Sequence, residues 1–366
     1  MAIPSRIISA DAHFTEPADL WLKYMEPKDR SRAPHVEHEA TTDVFVCEGI
    51  KMFDLGLIHG VRYGEDEPKA ETRYDEIPAS GWDPNARLPD LDKDGVAAEV
   101  IYPTIGMRMF AIPDSDFQNA VFRAYNNWVA DFNKAHPKRL VGLGAVNLDD
   151  IEGAVSELHR IRKLGIPGAM IALSPEKSLP YDDAHYDPFW AAAQALELPV
   201  SVHAQTERRV DVGPHNVPTP VNVIFLPIVA ARVLVTMIYG GVFDRFPKLK
   251  IVSAENDAGW AGNVIERMNF THYKMRRRNM ERGVRHKRLP SEYFGDNIYM
   301  TFIRDLSAMR LTDIVSADSL MWGSDYPHLF STWPDSRAHI KEHCKSITPE
   351  SARKIFGDTA ARLYGL

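Results

Sequence analysis

The chain has 366 residues, 45% of them hydrophobic and 25% charged, which places it among ordinary globular proteins and excludes disordered and fibrous classes. A formal net charge of −7 argues against a polyanionic partner such as nucleic acid, whose binders present a basic face. Its two cysteines, Cys47 and Cys344, lie far apart and outside any Cys-x-x-Cys pattern, so neither a disulfide framework nor a structural zinc site is expected and a reducing cytoplasm fits.

In chain order, short β-like runs alternate with helical segments, the pattern of parallel βαβ units. The N-terminus lacks the order of a secretory signal and enters the first apolar run directly, so no export is expected. The candidate strands are 6–10, 98–103, 140–147, 168–173, 199–203, 250–254, 298–302 and 319–323, which makes eight. Between them, 116–135 and 151–164 carry apolar residues at helical spacing, and 188–196, 260–273 and 304–314 do so less completely. Asp149-Asp150 sits where a helix N-cap belongs, and Gly165 where a C-cap glycine would end that helix. Eight strands with intervening helices predict an α/β fold, a distorted TIM (β/α)8 barrel with an insertion between strands 1 and 2. A single domain over 1–366 is the economical division. Residues 22–90 are too long for a simple βα loop and leave the barrel at its functional end, so they are read as a lid or a dimerisation insertion. A smaller excursion, 206–220, follows His203. The apolar stretch 221–243 approaches spanning length, but Pro227 and Arg232 interrupt it; it reads as a buried or subunit-facing helix, and no membrane association is expected. The basic cluster 274–278 reads as the solvated face of a helix, and 348–366 as a closing helical region starting near Pro349.

Chemistry concentrates at strand ends. Asp11 and His13, two apart, fall on one face of an extended strand. Three later apolar runs end on His203, Glu255 and Asp325. Each has a bland alternative: a turn for the Asp-x-His pair, a satisfied core histidine for His203, an arginine partner for Glu255, a helix cap for Asp325. Together they point to a divalent metal centre at the C-terminal end of a barrel, where such enzymes keep their chemistry. His328 and Tyr326 share the last loop with Asp325 and are candidates for orienting substrate. Arg208, beside Arg209, pairs with an anionic substrate group or with carboxylates of the lid. Trp260 and Trp322 read as packing residues. Serine-hydrolase elbows, phosphate loops and dinucleotide fingerprints are absent from the sequence.

Nearly the whole chain resembles the amidohydrolase superfamily, in the amidohydrolase-related branch that includes aminocarboxymuconate-semialdehyde decarboxylase. The carriers are Asp11-Ala-His13 with Glu16-Pro17, His203, Phe246-Pro-Lys-Leu-Lys-Ile-Val-Ser-Ala-Glu255, and Gly323-Ser-Asp-Tyr-Pro-His328. The resemblance implies a metal held by Asp11, His13, His203 and Asp325. Decarboxylases of this branch usually place a histidine after the sixth strand, whereas this chain has Glu255 there. On that departure the expected function is a metal-dependent hydrolase using a metal-activated water on a small organic substrate. Asp325 would move the proton, and Glu255 would act as base or as ligand to a second ion. The metal is zinc, manganese or iron, one ion or two. The rivals are a non-oxidative decarboxylase of an aromatic or enolic acid, a dinuclear iron or manganese enzyme using oxygen, and a partner subunit without catalysis. A homodimer or larger assembly is expected, with a related partner subunit as the alternative.

Overall fold

The apolar runs that lead to Asp11 and His13, His203, Glu255 and Asp325 each form a buried parallel strand. The structure is a computed structural model that describes residues 3–63, 71–175, 179–206, 220–281 and 285–366. In chain order its strands are β1 (Ile8–His13), β2 (His35–His38), β3 (Asp43–Cys47), β4 (Ile50–Asp54), β5 (Ala98–Tyr102), β6 (Leu140–Gly142), β7 (Gly144–Ala145), β8 (Ala169–Ile171), β9 (Val200–His203), β10 (Ile251–Ala254), β11 (Ile298–Phe302) and β12 (Leu320–Trp322). One parallel sheet has the order β1-β5-β6, and a second runs β12-β11-β10-β9-β8-β7. Strands of both sheets are buried along their length, as expected where helices cover parallel strands.

All eight predicted runs are strands, with one difference. The run 140–147 breaks at Leu143, where the chain exchanges neighbours: Leu143 N donates to Ile101 O at 3.0 Å and Gly144 N to Gly168 O at 3.1 Å. At the other edge the chain leaving β12 lies along β1, with Asp325 N donating to Asp11 O at 2.9 Å and His13 N to Tyr326 O at 2.6 Å. Gly323 makes this approach possible, since a Cβ there would stand 2.3 Å from the Asp11 Cβ.

The helices follow their caps. Ser115–Ala135 starts where the Asp114 side chain accepts from Phe117 N at 3.1 Å, and it buries Phe117, Val121, Trp128 and Phe132 on one face. Ile151–Lys163 starts at Asp150, which accepts from Gly153 N at 2.9 Å. Gly165, at φ 85, closes it. Pro349–Arg353 is capped by Thr348, as the proline position predicts. Two expectations change. The predicted 304–314 helix is only Leu306–Arg310, capped by Asp305. The predicted 260–273 helix runs over Ala261–Glu281 and carries the basic cluster, because Lys, Arg and Met are good helix formers and nothing in the sequence stops it there. No helix among the described residues is long and apolar enough to cross a membrane. The apolar run forms Pro220–Tyr239: Leu234, Met237 and Ile238 are buried, whereas Ile224, Phe225, Ile228 and Val229 are exposed.

Between β1 and β5 lies an antiparallel sheet, β2-β3-β4, followed by the helix Pro84–Asp94. That helix delivers Arg87, fully buried, into the seam between β1 and the β12 loop. Its guanidinium donates to Glu99 Oε2 at 2.7 Å, to His13 O at 2.9 Å, and to Ser80 O and Tyr326 O at 3.3 Å each. Removing it would strand a buried carboxylate and three carbonyls. We expect Arg87→Ala to lose about 3–5 kcal/mol in urea denaturation, as for other broken buried pairs, and Arg87→Met with Glu99→Leu to recover only part of that, because the carbonyls stay unpaired.

Candidate metal centre

Asp11, His13, His203 and Asp325 are all fully buried, and Glu255 joins them with its side chain 12% exposed. Each sits at a strand end or in the residues just after it. Two imidazoles stand at right angles, His13 against His203, ring centroids 5.0 Å apart. His13 Nε2 lies 3.6 Å from Asp11 Oδ1, 3.6 Å from Asp325 Oδ1 and 3.7 Å from Glu255 Oε2. His203 Nε2 lies 3.5 Å from Asp11 Oδ1. These separations are too long for hydrogen bonds and suit atoms that share a central ion. Asp11, His13 and His203 each turn one ligand atom toward a common point, as do His13, Asp325 and His328.

The donor set passes a test of its own. Buried polar atoms in proteins are nearly always paired. Here Asp11 Oδ1, His13 Nε2, His203 Nε2, Glu255 Oε2 and both Asp325 oxygens are buried without a hydrogen-bond partner. The opposite edges of the same side chains are paired: His13 Nδ1 to Pro103 O and His203 Nδ1 to Ala204 O, both at 2.9 Å. Each backbone carbonyl takes the Nδ1 proton and leaves Nε2 with its lone pair toward the centre, the arrangement metal-ligating histidines need. Two imidazoles with hard carboxylates suit zinc, manganese or iron.

Backbone strain marks the same place. Glu255, Asp257 and Asp325 have φ values of 54, 50 and 55, left-handed positions costing non-glycine residues about 1–3 kcal/mol each. Hydrogen bonds hold two of them: Glu255 N donates to Thr301 Oγ1 at 2.8 Å and Asp325 N to the Asp11 carbonyl at 2.9 Å. The left-handed residue turns the chain off its strand.

Electrostatics follow burial. Desolvation, then the neighbouring Asp325, pushes Glu255 well above the usual carboxylate range; desolvation, then Asp11, does the same to Asp325. Burial also lowers His13 well below the ordinary imidazole value, with His328 and His203 adding to it. For His203, burial works downward, but the Asp11 contact and the charges of Asp11 and Glu255 outweigh it and bring the ring up to about 9. A cluster that binds protons this tightly has an excess of negative charge, which a divalent cation would satisfy.

The surrounding residues set positions. The His328 ring stacks on His13, centroids 3.9 Å apart, with Nδ1 at 3.0 Å from Asp325 Oδ1 and Nε2 at 2.8 Å from Thr104 Oγ1. The Thr104 hydroxyl donates to Phe14 O at 2.5 Å. Burial, then His203, brings His328 down to about 3, so the ring is neutral. Glu16 accepts from the backbone N–H groups of Thr104, Ile105 and Gly106 at 3.1, 3.0 and 2.8 Å, which fixes the turn after β5. The Tyr326 hydroxyl is taken by Asp90 Oδ2 at 2.5 Å and Ser80 Oγ at 2.8 Å, so it anchors the last loop to the segment before β5. Arg208 and Arg209 lie outside the described residues. Trp322 is buried, and Trp260 donates to the Asn256 and Asp257 carbonyls at 3.0 Å each.

Sequence reasoning missed Thr301, Thr104 and Arg87 as parts of this site. Threonines inside apolar strands and a charged residue in a polar helix carry no motif. Glu16, beside the first-strand pair, was marked by the resemblance, but not its hold on the turn after β5.

With this geometry in hand, the relatives can be placed. The sequence profile of the amidohydrolase family matches residues 8–366. A 2-amino-3-carboxymuconate-6-semialdehyde decarboxylase of Dictyostelium discoideum is 26% identical over 298 residues, 80% of this chain and 79% of that protein. A gamma-resorcylate decarboxylase of Polaromonas sp. is 28% identical over 305 residues, 79% of this chain and 87% of that protein. Among solved structures, an amidohydrolase from Mycobacterium avium subsp. paratuberculosis superposes over 100% of both chains with a TM-score of 0.78 at 21% identity. A 5-carboxyvanillate decarboxylase from Novosphingobium aromaticivorans, complexed with manganese and 4-hydroxy-3-methoxy-5-nitrobenzoic acid, covers 99% of this chain and 96% of its own, with a TM-score of 0.70 at 20% identity. These likenesses correct one expectation. The departure at Glu255 argued for hydrolysis, but the curated relatives are named decarboxylases, so one side chain was given more weight than the rest of the chain carries. From the first strand to the last residue, the chain belongs to the amidohydrolase family.

Proposed function

We propose that this protein is a metal-dependent, non-oxidative decarboxylase of a small aromatic or enolic acid. The observation that carries the reading is the buried set of unpaired ligand atoms on Asp11, His13, His203 and Asp325, within a chain whose curated relatives are named decarboxylases. Asp11, His13, His203 and Asp325 would hold the ion. Because His13 offers one atom, Nε2, to both candidate ligand groups, one ion rather than two is our reading. Manganese is the first candidate, since a solved relative carries it. When bound, the ion would supply a positive charge that holds an anionic substrate and draws electron density from it.

The rest of the chemistry falls to the chain's own groups. As carbon dioxide leaves, the carbon–carbon bond to the carboxylate breaks and its electron pair takes up a proton, so a carbon–hydrogen bond replaces it. Glu255, held protonated by burial and by Asp325, is placed to deliver that proton from its carboxyl oxygen and to regain one from water. It also lies on the side of the centre open to solvent, with His328, whose side chain is 13% exposed. His328, neutral and stacked on His13, would orient a ring hydroxyl or carboxylate.

The fold behind this reading is a distorted (β/α)8 barrel. Its support is the chain's passage from one parallel sheet to the other at Leu143 and the bonds from the β12 loop to β1. Residues 22–90 are read as an insertion covering the site. Their support is Val61 N donating to Pro327 O at 3.2 Å and Gly60 packing against Leu329 beside His328. A homodimer joined through the exposed apolar face of Pro220–Tyr239 and a cytoplasmic location complete the reading; the second rests on two buried, free cysteines.

Three outcomes are expected. Supplied with manganese and a panel of hydroxybenzoic acids, the protein releases carbon dioxide from at least one, and Glu255→Gln lowers kcat by on the order of a hundredfold or more; an ester or amide hydrolysed while every acid survives would sink the proposal. Manganese affinity rises from pH 6 to pH 8, with protons released on binding. The sign follows from His203 and Asp325, whose protons are held more tightly than usual and must be displaced by the ion, so affinity grows as pH rises toward their raised values. A pH-independent affinity would contradict it. Light scattering gives a dimer mass that Ile224→Asp with Ile228→Asp converts to monomer, whereas a monomeric wild type removes the dimer from the proposal.

A further inference from the structure

Thr301 lies on β11, fully buried, and its hydroxyl serves two parts of the centre at once. It donates to Asp11 Oδ2 at 2.5 Å and accepts from Glu255 N at 2.8 Å. A hydroxyl has one proton to give, and here that proton is committed to Asp11. The consequence at Asp11 is a choice between oxygens. Oδ2 is occupied, so Oδ1 is the atom left unpaired toward His13 Nε2 and His203 Nε2, at 3.6 and 3.5 Å. The consequence at Glu255 is a fixed exit from β10. Its N–H is pinned while the residue sits at φ 54, a conformation that needs an outside hold.

We infer that Thr301 is the positioning residue of this site, its one hydroxyl setting both the ligating oxygen of Asp11 and the direction of the Glu255 carboxylate. The inference rests on the metal centre proposed above but not on the reaction assigned to it. Nothing in the geometry gives Thr301 contact with substrate; it acts through its two neighbours. The strands it joins are β1, β10 and its own β11, so a single side chain ties the first ligand of the chain to the acid that follows β10.

Two variants separate the hydroxyl from the bulk around it. Thr301→Val keeps the shape and removes the donor and acceptor; Thr301→Ser keeps the hydroxyl and removes a methyl. The readout is the dissociation constant for manganese alone, by equilibrium dialysis without substrate, beside a thermal melt of the metal-free proteins. Thr301→Val is expected to weaken manganese binding about 10–100-fold, as lost outer partners of ligating groups do, and Thr301→Ser to stay within about threefold of wild type. In a variant with carbon dioxide release, kcat should fall further than metal saturation restores, because Glu255 is also released. Thr301→Val binding manganese like wild type overturns the inference. So does equal weakening in Thr301→Ser and Thr301→Val, which assigns the effect to packing. If Thr301→Val does not fold, the Thr301→Ser affinity decides: near wild type supports the hydroxyl, and a loss of tenfold or more refutes it. Wild type that binds manganese but releases carbon dioxide from no acid tested would undo the proposed reaction and leave this result standing.

Discussion

Three carboxylates and two imidazoles crowded into a nearly dry pocket form an arrangement that cannot be stable by itself. Isolated charges in a protein interior cost far more than a domain's net stability, so they are neutralised by protons, partners or ions. In this chain the response to that demand is visible at every level. Burial pushes Glu255 and Asp325 well above the usual carboxylate range, the ligand atoms of both histidines face the acids, and the outer edges of His13, His203 and Asp11 are taken by two carbonyls and a hydroxyl. The pocket is thus polarised: satisfied on its outside and deficient of positive charge within. A rigid frame is required to keep it that way, and strained backbone at Glu255 and Asp325 is the local cost.

That frame is assembled from pieces remote in sequence. Arg87 brings a guanidinium under the seam where the first strand meets the last loop, and Glu99 neutralises it there. Glu16 closes the turn after β5, which places Thr104, which in turn holds His328 against the His13 ring. Each of these is a polar group inside the core, and each is matched. The matching is directional, so it specifies geometry in a way that apolar packing does not.

How far the sequence reveals this depends on the kind of signal. Asp11, His13, His203, Glu255 and Asp325 were legible because each ends an apolar run, and a strand end is where a barrel-like scaffold gathers chemistry. Helix starts at Asp150 and Thr348 were legible because capping is a local rule. Helix ends were harder: the 260–273 pattern continues to Glu281 on propensity alone after its apolar face is exhausted. The break at Leu143 has no local signal, since it reflects which neighbour each half of the run meets. Thr301 and Arg87 were invisible for the same reason. Thr301 meets Asp11 across 290 positions, and Arg87, though only 12 from Glu99, meets the Tyr326 carbonyl across 239, so no window of sequence contains either full set of partners. The reaction was misread from a single side chain, Glu255, when its meaning depends on neighbours that only the fold supplies.

The bond between Ser9 and Ser324, side chains 3.0 Å apart and 315 positions distant, has a temporal meaning as well as a spatial one. At a synthesis rate of roughly 5–20 residues per second, the first strand waits about 15–60 s on the ribosome before its partner exists. During that interval Asp11 and His13 belong to no finished pocket, and the far wall that Gly323 lets press against Asp11 has yet to be made. The four side chains of the proposed centre therefore coexist only once Asp325 has been made, so the complete pocket is a product of the finished fold and not of the nascent N-terminus.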